Sequence, residues 1–365
     1  MFYDFFLRSF RLVLLPISLL YWLAIYIRNL LYDKQLIRSA TFGLPLISVG
    51  NLAIGGTGKS PMVEYLVSLL KSHYQVATLS RGYRRRTKGY ALATPESTAL
   101  DIGDEPLALY RKFPDIPIAV GEERLLAIPE LLHDHPTIQA ILLDDAFQHR
   151  TIEAGLNILL TEYNNLFTRD FYLPTGDLRD LKRRYKEAEI IVVTKCKEAL
   201  SEFEKNKLIL EINPVAEQKI FFTKLSYGTP YHLFDKTPVS LSSQLEVLLV
   251  TGISNPVPLK KWVESQTQSY QLLQYRDHHI FTLEDLRDIK KEFQKLATSQ
   301  SLILTTEKDA VRLEKFAEDF KGLPIFVVPI RHEFLFNEQT EFDHTVISFL
   351  ENFERPLSYY GAKEY

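Results

Sequence analysis

The sequence predicts an α/β protein: a parallel sheet domain with a phosphate-binding loop, an N-terminal membrane-interfacial helix and a second, smaller α/β domain. Three observations predict it. Short, continuous apolar runs alternate with segments of helical periodicity, the pattern of a parallel sheet covered on both faces. One of those runs, "LPLISVG", leads directly into a glycine-rich loop and then a helix. The chain has 365 residues, more than one core usually serves, so two domains are expected.

The N-terminal segment through residue 38 is aromatic-rich, with no charge between Arg11 and Arg28. Those 16 residues would span about 24 Å as a helix, short of a hydrocarbon core of roughly 30 Å. At helical spacing Arg11, Ser18 and Asn29 share one face, with Tyr21, Arg28 and Tyr32 close by. This favours an amphipathic helix lying in a membrane interface, with Trp22 and the tyrosines at headgroup depth. Residues 1–38 carry five basic and two acidic side chains, which suits anionic lipid. A spanning helix, a cleaved signal peptide and a helix packed on the protein's own core are the alternatives. A signal peptide would export the nucleotide loop away from ATP.

The loop "GNLAIGGTGKSP" (50–61) departs from G-x-x-x-x-G-K-[ST], because Ala53 stands where its first glycine belongs. It nevertheless has what phosphate binding needs. Gly55, Gly56 and Gly58 allow close backbone approach, Lys59 can reach the β- and γ-phosphates, and the Ser60 hydroxyl can bind Mg²⁺. Met62, Val63, Leu66, Val67, Leu69 and Leu70 then recur at helical spacing behind Pro61, so a helix N-terminus faces the anion.

Strands are expected at 75–80, 116–120, 138–145, 156–162 and 188–195, with helices at 104–113 and 122–135. Residues 219–235 look like two short strands about a Gly-Thr-Pro turn, a candidate linker. A second α/β unit follows, with strands at 245–252, 301–306 and 324–330 and a helix at 283–296 entered through Thr282. The expected division is 1–38 helix, 39–218 phosphate-loop domain, 219–235 two-stranded linker, 236–350 smaller domain and 351–365 tail.

Composition narrows the function classes. Hydrophobic residues at 46% and charged residues at 24% describe a folded protein, and a net charge of −3 gives no reason to expect a nucleic-acid partner. One cysteine, Cys196, excludes an internal disulfide framework. "AILLDD" (140–145) ends a buried strand in acid where the phosphate loop also lies, so Asp144 would hold Mg²⁺ with Ser60. Two basic clusters, "SRGYRRRTKG" (80–89) and "LRDLKRRYK" (178–186), suit an anionic substrate or membrane. Lys197 in "VVTKCKE" occupies the position where an acid would grip guanine, so guanine is disfavoured. Asp277-His278-His279 could be a metal site, an acid-held histidine or a polar turn, and by itself the turn is favoured. Thr306 to Asp309 reads as a helix cap.

Together, "SVGNLAIGGTGKSP", "SRGYRRRTKG", "GDEPLAL", "VGEERLLA", "ILLDDAFQHR", "LPTGDLRD", "VVTKC", "DHHIF" and "TTEKDAVRL" resemble the tetraacyldisaccharide 4′-kinases of lipid A synthesis over most of the chain. In that family's loop the glycine pair is displaced, so Ala53 is in character and Asn51 belongs to the motif with Gly55, Gly56, Thr57, Gly58, Lys59 and Ser60. The resemblance implies a monotopic enzyme on the cytoplasmic face of the inner membrane. It would use ATP and Mg²⁺ to phosphorylate the 4′-hydroxyl of a lipid-linked glucosamine disaccharide 1-phosphate, with no nucleic acid and no obligate protein partner. A membrane-associated nucleotide switch or assembly ATPase is the alternative.

Matched by position, Asp104 is the base and His278 pairs with it from the second domain, the two domains meeting around the reacting hydroxyl. Arg124 and Arg179 neutralise charge on the transferring phosphate. Asp144 binds the metal with Ser60, and Asp145 and Asp180 are counted with them at the metal site, Asp145 beside the ion and Asp180 reaching it through water. Arg81, Tyr83, Arg84, Gln148 and His149 are expected to meet the lipid substrate. Two positions depart from the family: "DDAFQH" has Ala146 for glycine, and "LRDL" has Asp180 for a glutamate one methylene longer.

Overall fold

A computed structural model describes residues 11–296 and 300–354. The start of the expected N-terminal segment (1–10) and most of the expected tail (355–365) lie outside the described residues. The chain divides into two compact units. Unit 1 comprises residues 1–81, 116–225 and 332–365, and unit 2 comprises 82–115 and 226–331. This corrects the consecutive division expected from the sequence. Residues 82–115 join the second unit and the C-terminal segment returns to the first, because contacts between distant segments, which periodicity does not encode, assign them.

The parallel strands of unit 1 are β1 (Leu46–Asn51), β2 (Val76–Ser80), β3 (Ile118–Val120), β4 (Ala140–Asp144), β5 (Leu156–Glu162), β6 (Ile190–Thr194) and β7 (Lys219–Tyr227), with the strand Ile330–Phe334 beside β7. They pair in parallel in the order β7-β6-β5-β1-β4-β2-β3. Beyond β1 the chain runs to β2 on one side, and from β4 it runs to β5 on the other. The crevice at the C-terminal ends of β1 and β4 is therefore a topological switch point, where such sheets bind ligands. β1 is buried along its whole length, as its unbroken apolar run requires.

In unit 2 the five-stranded sheet is assembled from β8 (Tyr231–His232), β9 (Glu246–Thr251), β10 (Ser269–Gln274), β11 (Ser301–Thr306) and β12 (Ile325–Val328), in the order β10-β9-β11-β12-β8. Only β8 is antiparallel. Successive side chains of a strand point to opposite faces. Val247 and Leu249 accordingly pack with Leu259 and Val263 of the helix Val257–Gln266, while Leu248 and Val250 pack with Leu286 and Ile289 of the helix Leu283–Phe293. Burying each such side chain contributes roughly 1.5–3 kcal/mol before chain entropy is counted. The expected two-stranded linker holds the boundary between the units, at Leu225 and Ser226. β7 pairs with β6 in the larger sheet and β8 pairs with β12 in the smaller, so 219–235 contributes a strand to each unit.

The N-terminal helix, Leu15–Asp33, has its polarity reversed. Ser18 (5% exposed) and Asn29 (0%) are buried, while Leu19 (64%) and Leu20 (68%) are exposed. Ser18 Oγ lies 2.7 Å from Thr175 Oγ1, and Tyr21 donates to the Arg179 carbonyl at 3.1 Å. Asn29 donates to Asp180 at 3.0 Å. The polar stripe grips the protein and the apolar stripe is left outward, so the helix is not a core helix. It is long and apolar enough to cross a membrane by length and composition.

Candidate active site

In unit 1 the site grows from the turn between β1 and the helix Lys59–Leu70. Gly55 (φ 111°) and Gly58 (φ 90°) are left-handed, conformations that side chains resist. Lys59 opens the helix, and its Nζ lies 3.4 Å from both Asn51 Oδ1 and the Gly55 carbonyl, and 3.6 Å from Asp145 Oδ1. Gly56 is exposed in the loop and Thr57 is buried beneath it. Across the crevice, Val49 of β1 stands in register with Asp144 at the end of β4.

Three cations surround that point. Arg179 donates to Asn51 Oδ1 at 2.7 Å and forks onto both Asp145 oxygens, one at 3.1 Å. Arg124, 1% exposed, donates to the Asp144 carbonyl at 3.2 Å and the Gly121 carbonyl at 3.2 Å. Burial lowers its pKa to about 10 against the opposing pull of Asp144 and Asp145, so it stays charged at neutral pH. For Asp145 burial raises the pKa, but Lys59, Arg179 and Arg124 outweigh it and hold it near 2. Gln148 donates to the Asn51 carbonyl. His149 is pushed down to about 4 by burial and by Arg124 and Arg81, so its imidazole is neutral.

The donor set fits Mg²⁺. Ser60 offers a hydroxyl and Asp144 a carboxylate, hard oxygens of the kind this ion takes together with nucleotide phosphates and water.

Unit 2 contains a second polar cluster. Asp104, 6% exposed, begins the helix Asp104–Lys112, and its Oδ1 accepts the Glu105 N–H at 3.0 Å. His278 Nδ1 lies 2.7 Å from Asp104 Oδ2, and Arg312 bonds the same oxygen. Lys308 Nζ reaches His278 Nε2 at 3.1 Å. Burial opposes ionisation of Asp104, but the His278 hydrogen bond and the Arg312 and Lys308 charges hold its pKa below the usual carboxylate range. Tyr83 packs edge-on against His278 at 5.4 Å, and Arg84 donates to the Asp277 carbonyl at 3.4 Å. A cavity of about 570 Å³ opens beside this cluster, lined in part by Tyr83, Arg84, Leu107, Phe234 and Ile280.

The chain matches the family described as "Tetraacyldisaccharide-1-P 4'-kinase" over residues 10–351. It belongs to that family. It is similar to the tetraacyldisaccharide 4'-kinase of Bacteroides thetaiotaomicron, 40% identical over 361 residues and covering 95% of each chain. With the enzyme of that name from Flavobacterium johnsoniae it shares 41% identity over 347 residues, 94% of this chain and 98% of the other. Among solved structures it is similar to LpxK from Aquifex aeolicus in complex with ATP. That likeness has a TM-score of 0.75 at 25% identity and covers 93% of this chain and 99% of the other.

Within the 4'-kinase family frame, several sequence expectations change. Asp104 and His278 pair, but both stand in unit 2, so the histidine does not come from another unit. Of the three readings of Asp277-His278-His279, the acid-held histidine is the one found. His279 is bound separately by Asp285 at 2.9 Å, and no group of three metal-ligating side chains occurs among the described residues. Asp180 is held by protein partners. Its Oδ1 accepts from Asn29 at 3.0 Å and from the Leu181 N–H at 2.8 Å, and its Oδ2 is paired with Arg184. A side chain one methylene shorter thus ends in a buried ion pair. Asp145 is paired with two cations, Lys59 and Arg179. At Ala146 no strain arises, because the left-handed residue of that turn is Asp145 (φ 50°).

Sequence reasoning missed Lys308 and Arg312, both inside "TTEKDAVRL". The cap it did identify is present, Thr306 Oγ1 accepting from the Asp309 N–H at 3.1 Å, and it explained the motif well enough to hide the two cations beyond it. Arg312 is 6% exposed, and its place three residues after Asp309 on the helix that Thr306 caps was the available signal.

Proposed function

We propose that the protein transfers the γ-phosphoryl group of ATP to the 4′-hydroxyl of a tetraacyldisaccharide 1-phosphate, working on the cytoplasmic face of the bacterial inner membrane. The observation carrying this reading is the Lys59–Ser60 loop following β1 at the sheet's switch point, where Val49 of β1 is in register with Asp144, in a chain of this family. The loop N–H groups and Lys59 bind the β- and γ-phosphates, and Arg124 and Arg179 stabilise charge as it shifts onto the leaving ADP. Bound Mg²⁺, held by Ser60 and Asp144, supplies further positive charge to the phosphates. Asp145 orients Lys59 and Arg179. The bond from the sugar 4′-oxygen to phosphorus forms as the β–γ bridging bond breaks, and the hydroxyl proton passes to the Asp104–His278 pair. Arg81, Tyr83, Arg84, Gln148 and His149 are read as contacts of the lipid.

The acid–imidazole pair is what a water-hydrolysing switch does not obviously need, and it favours the kinase. For the membrane, the support is the outward apolar stripe of the Leu15–Asp33 helix, and for the cytoplasmic face it is the requirement for ATP. Incubation with γ-labelled ATP and a tetraacyldisaccharide 1-phosphate in vesicles tests the reading. Labelled lipid is expected, with Lys59→Ala reducing the rate by about 10²–10³-fold. Free phosphate without labelled lipid would refute it.

A further inference from the structure

Below the phosphate loop, on the sheet side, two buried polar side chains hold the loop's carbonyls and a third holds one of those two. Thr194, at the end of β6, donates to the Thr57 carbonyl at 2.8 Å. His332 Nε2 lies 2.8 Å from the Gly58 carbonyl. Its other ring nitrogen, Nδ1, lies 2.9 Å from Thr223 Oγ1 on β7. A carbonyl accepts only, so Nε2 carries the proton, and Nδ1 accepts from the Thr223 hydroxyl. Thr194 and Thr223 are 0% exposed and His332 is 4%. His332 belongs to the strand Ile330–Phe334, far along the chain from the loop. Burial drives its pKa down to about 4, so the ring is neutral and the tautomer is fixed.

The consequence follows from peptide geometry. In a planar trans peptide the C=O and the next residue's N–H point in opposite directions. Holding the Thr57 and Gly58 carbonyls against the sheet therefore turns the Gly58 and Lys59 N–H groups the other way, into the loop. The Gly58 carbonyl also accepts the Met62 N–H at 3.2 Å, the first turn of the Lys59 helix. Two donors on one oxygen fix the junction where loop becomes helix. The imidazole also fills the space that a side chain at 58 would need: a Cβ there would meet the ring at 3.0 Å. The left-handed φ of Gly58 and the seat of His332 are two halves of one fit.

We infer that Thr194, Thr223 and His332 form a buried brace that aims the Gly58 and Lys59 N–H groups at the nucleotide phosphates, with His332 its central positioning residue. The inference rests on the nucleotide-binding half of the proposed function and is independent of the acceptor. It predicts a selective effect. Losing a buried hydrogen bond to a carbonyl is expected to weaken MgATP binding about ten-fold.

The test is equilibrium binding of a fluorescent ATP analogue with Mg²⁺, together with steady-state transfer, on the full chain in vesicles. His332→Leu should weaken nucleotide binding about ten-fold and raise KM for ATP in step, with KM for the lipid unchanged. His332→Gln, whose amide nitrogen can replace Nε2–H, should recover most of the loss. Thr223→Val, equal in shape, leaves Nδ1 without its donor and should give an intermediate shift with a modestly lower melting temperature. If the histidine variants do not fold, Thr223→Val decides alone. Wild-type nucleotide affinity in a folded Thr223→Val, or equal rises in both KM values for His332→Leu, would overturn the brace. A wild type that binds nucleotide but labels no lipid would instead remove the kinase reading and leave the brace to be judged on binding.

Discussion

Arg312 decides what kind of base Asp104 can be. Both side chains are nearly buried, and the pair shares one carboxylate oxygen with His278. Removing one partner of a buried pair strands the other's charge, which costs roughly 3–5 kcal/mol. Arg312→Met should therefore destabilise the protein by about that much at neutral pH, read as a lower urea midpoint. The pH dependence has a definite sign. Asp104 has a folded pKa below its unfolded value, so its contribution is complete above the ordinary carboxylate range and fades as pH falls through the folded value. Without Arg312 the burial cost is less opposed and the folded pKa climbs, although Lys308 and His278 still face the carboxylate. Both the acid loss of stability and the acid limb of kcat should then move to higher pH in Arg312→Met. An unmoved acid limb would mean that ionised Asp104 is not required for turnover.

Among the elements, the Leu15–Asp33 helix holds the protein with its polar residues and offers its apolar ones outward. Its Asn29 also bonds Asp180, so deleting the whole helix would disturb a buried ion pair as well as any membrane contact. Substitution of the outward stripe separates the two roles. Leu19→Glu with Leu20→Glu should release the protein from anionic vesicles and raise KM for vesicle-borne lipid, with no change in melting temperature or in KM for a dispersed short-chain analogue. Equal losses on both substrates would show that the stripe serves folding. The helix was legible in the sequence as amphipathic, because Ser18 and Asn29 recur on one face. Strands β1, β2, β4, β5 and β6 were equally legible, since buried parallel strands are continuous apolar runs. Residues 219–235 were legible as two strands about a turn, but not in their pairing. A turn signal between two strands looks like a hairpin whether or not the strands pair, and here each joins a different sheet.

At the scale of the whole molecule, the phosphate loop and Asp144 could be named from the sequence because motif and chemistry are local, whereas the Asp104–His278 pair, 174 residues apart, came only from the family resemblance. The brace under the loop and the guanidinium on Asp104 could not, because they depend on which distant segments pack together. Each unit is completed by chain from elsewhere. Unit 2 needs the helix Asp104–Lys112, which meets the helix Glu307–Leu313 and its continuation through Arg312, the Lys112–Glu307 pair at 3.0 Å and the Arg111–Glu314 pair at 2.9 Å. Unit 1 needs β7 and the C-terminal segment, where Phe334 and Phe342 pack on Tyr65 and Phe221. A fragment of residues 1–218, the sequence-based kinase domain with its helix, would lack Thr223, His332 and that aromatic cluster. It would expose the β6 edge and the apolar side chains that β7 covers, and its loop carbonyl at Gly58 would have no histidine beneath it. The fragment should show no cooperative thermal transition and no measurable MgATP binding, whereas co-expression of 1–218 with 219–365 should restore both. A fragment that melted cooperatively and bound nucleotide with the affinity of the full chain would mean that the returning segments are additions to a self-sufficient domain, and that the brace is dispensable.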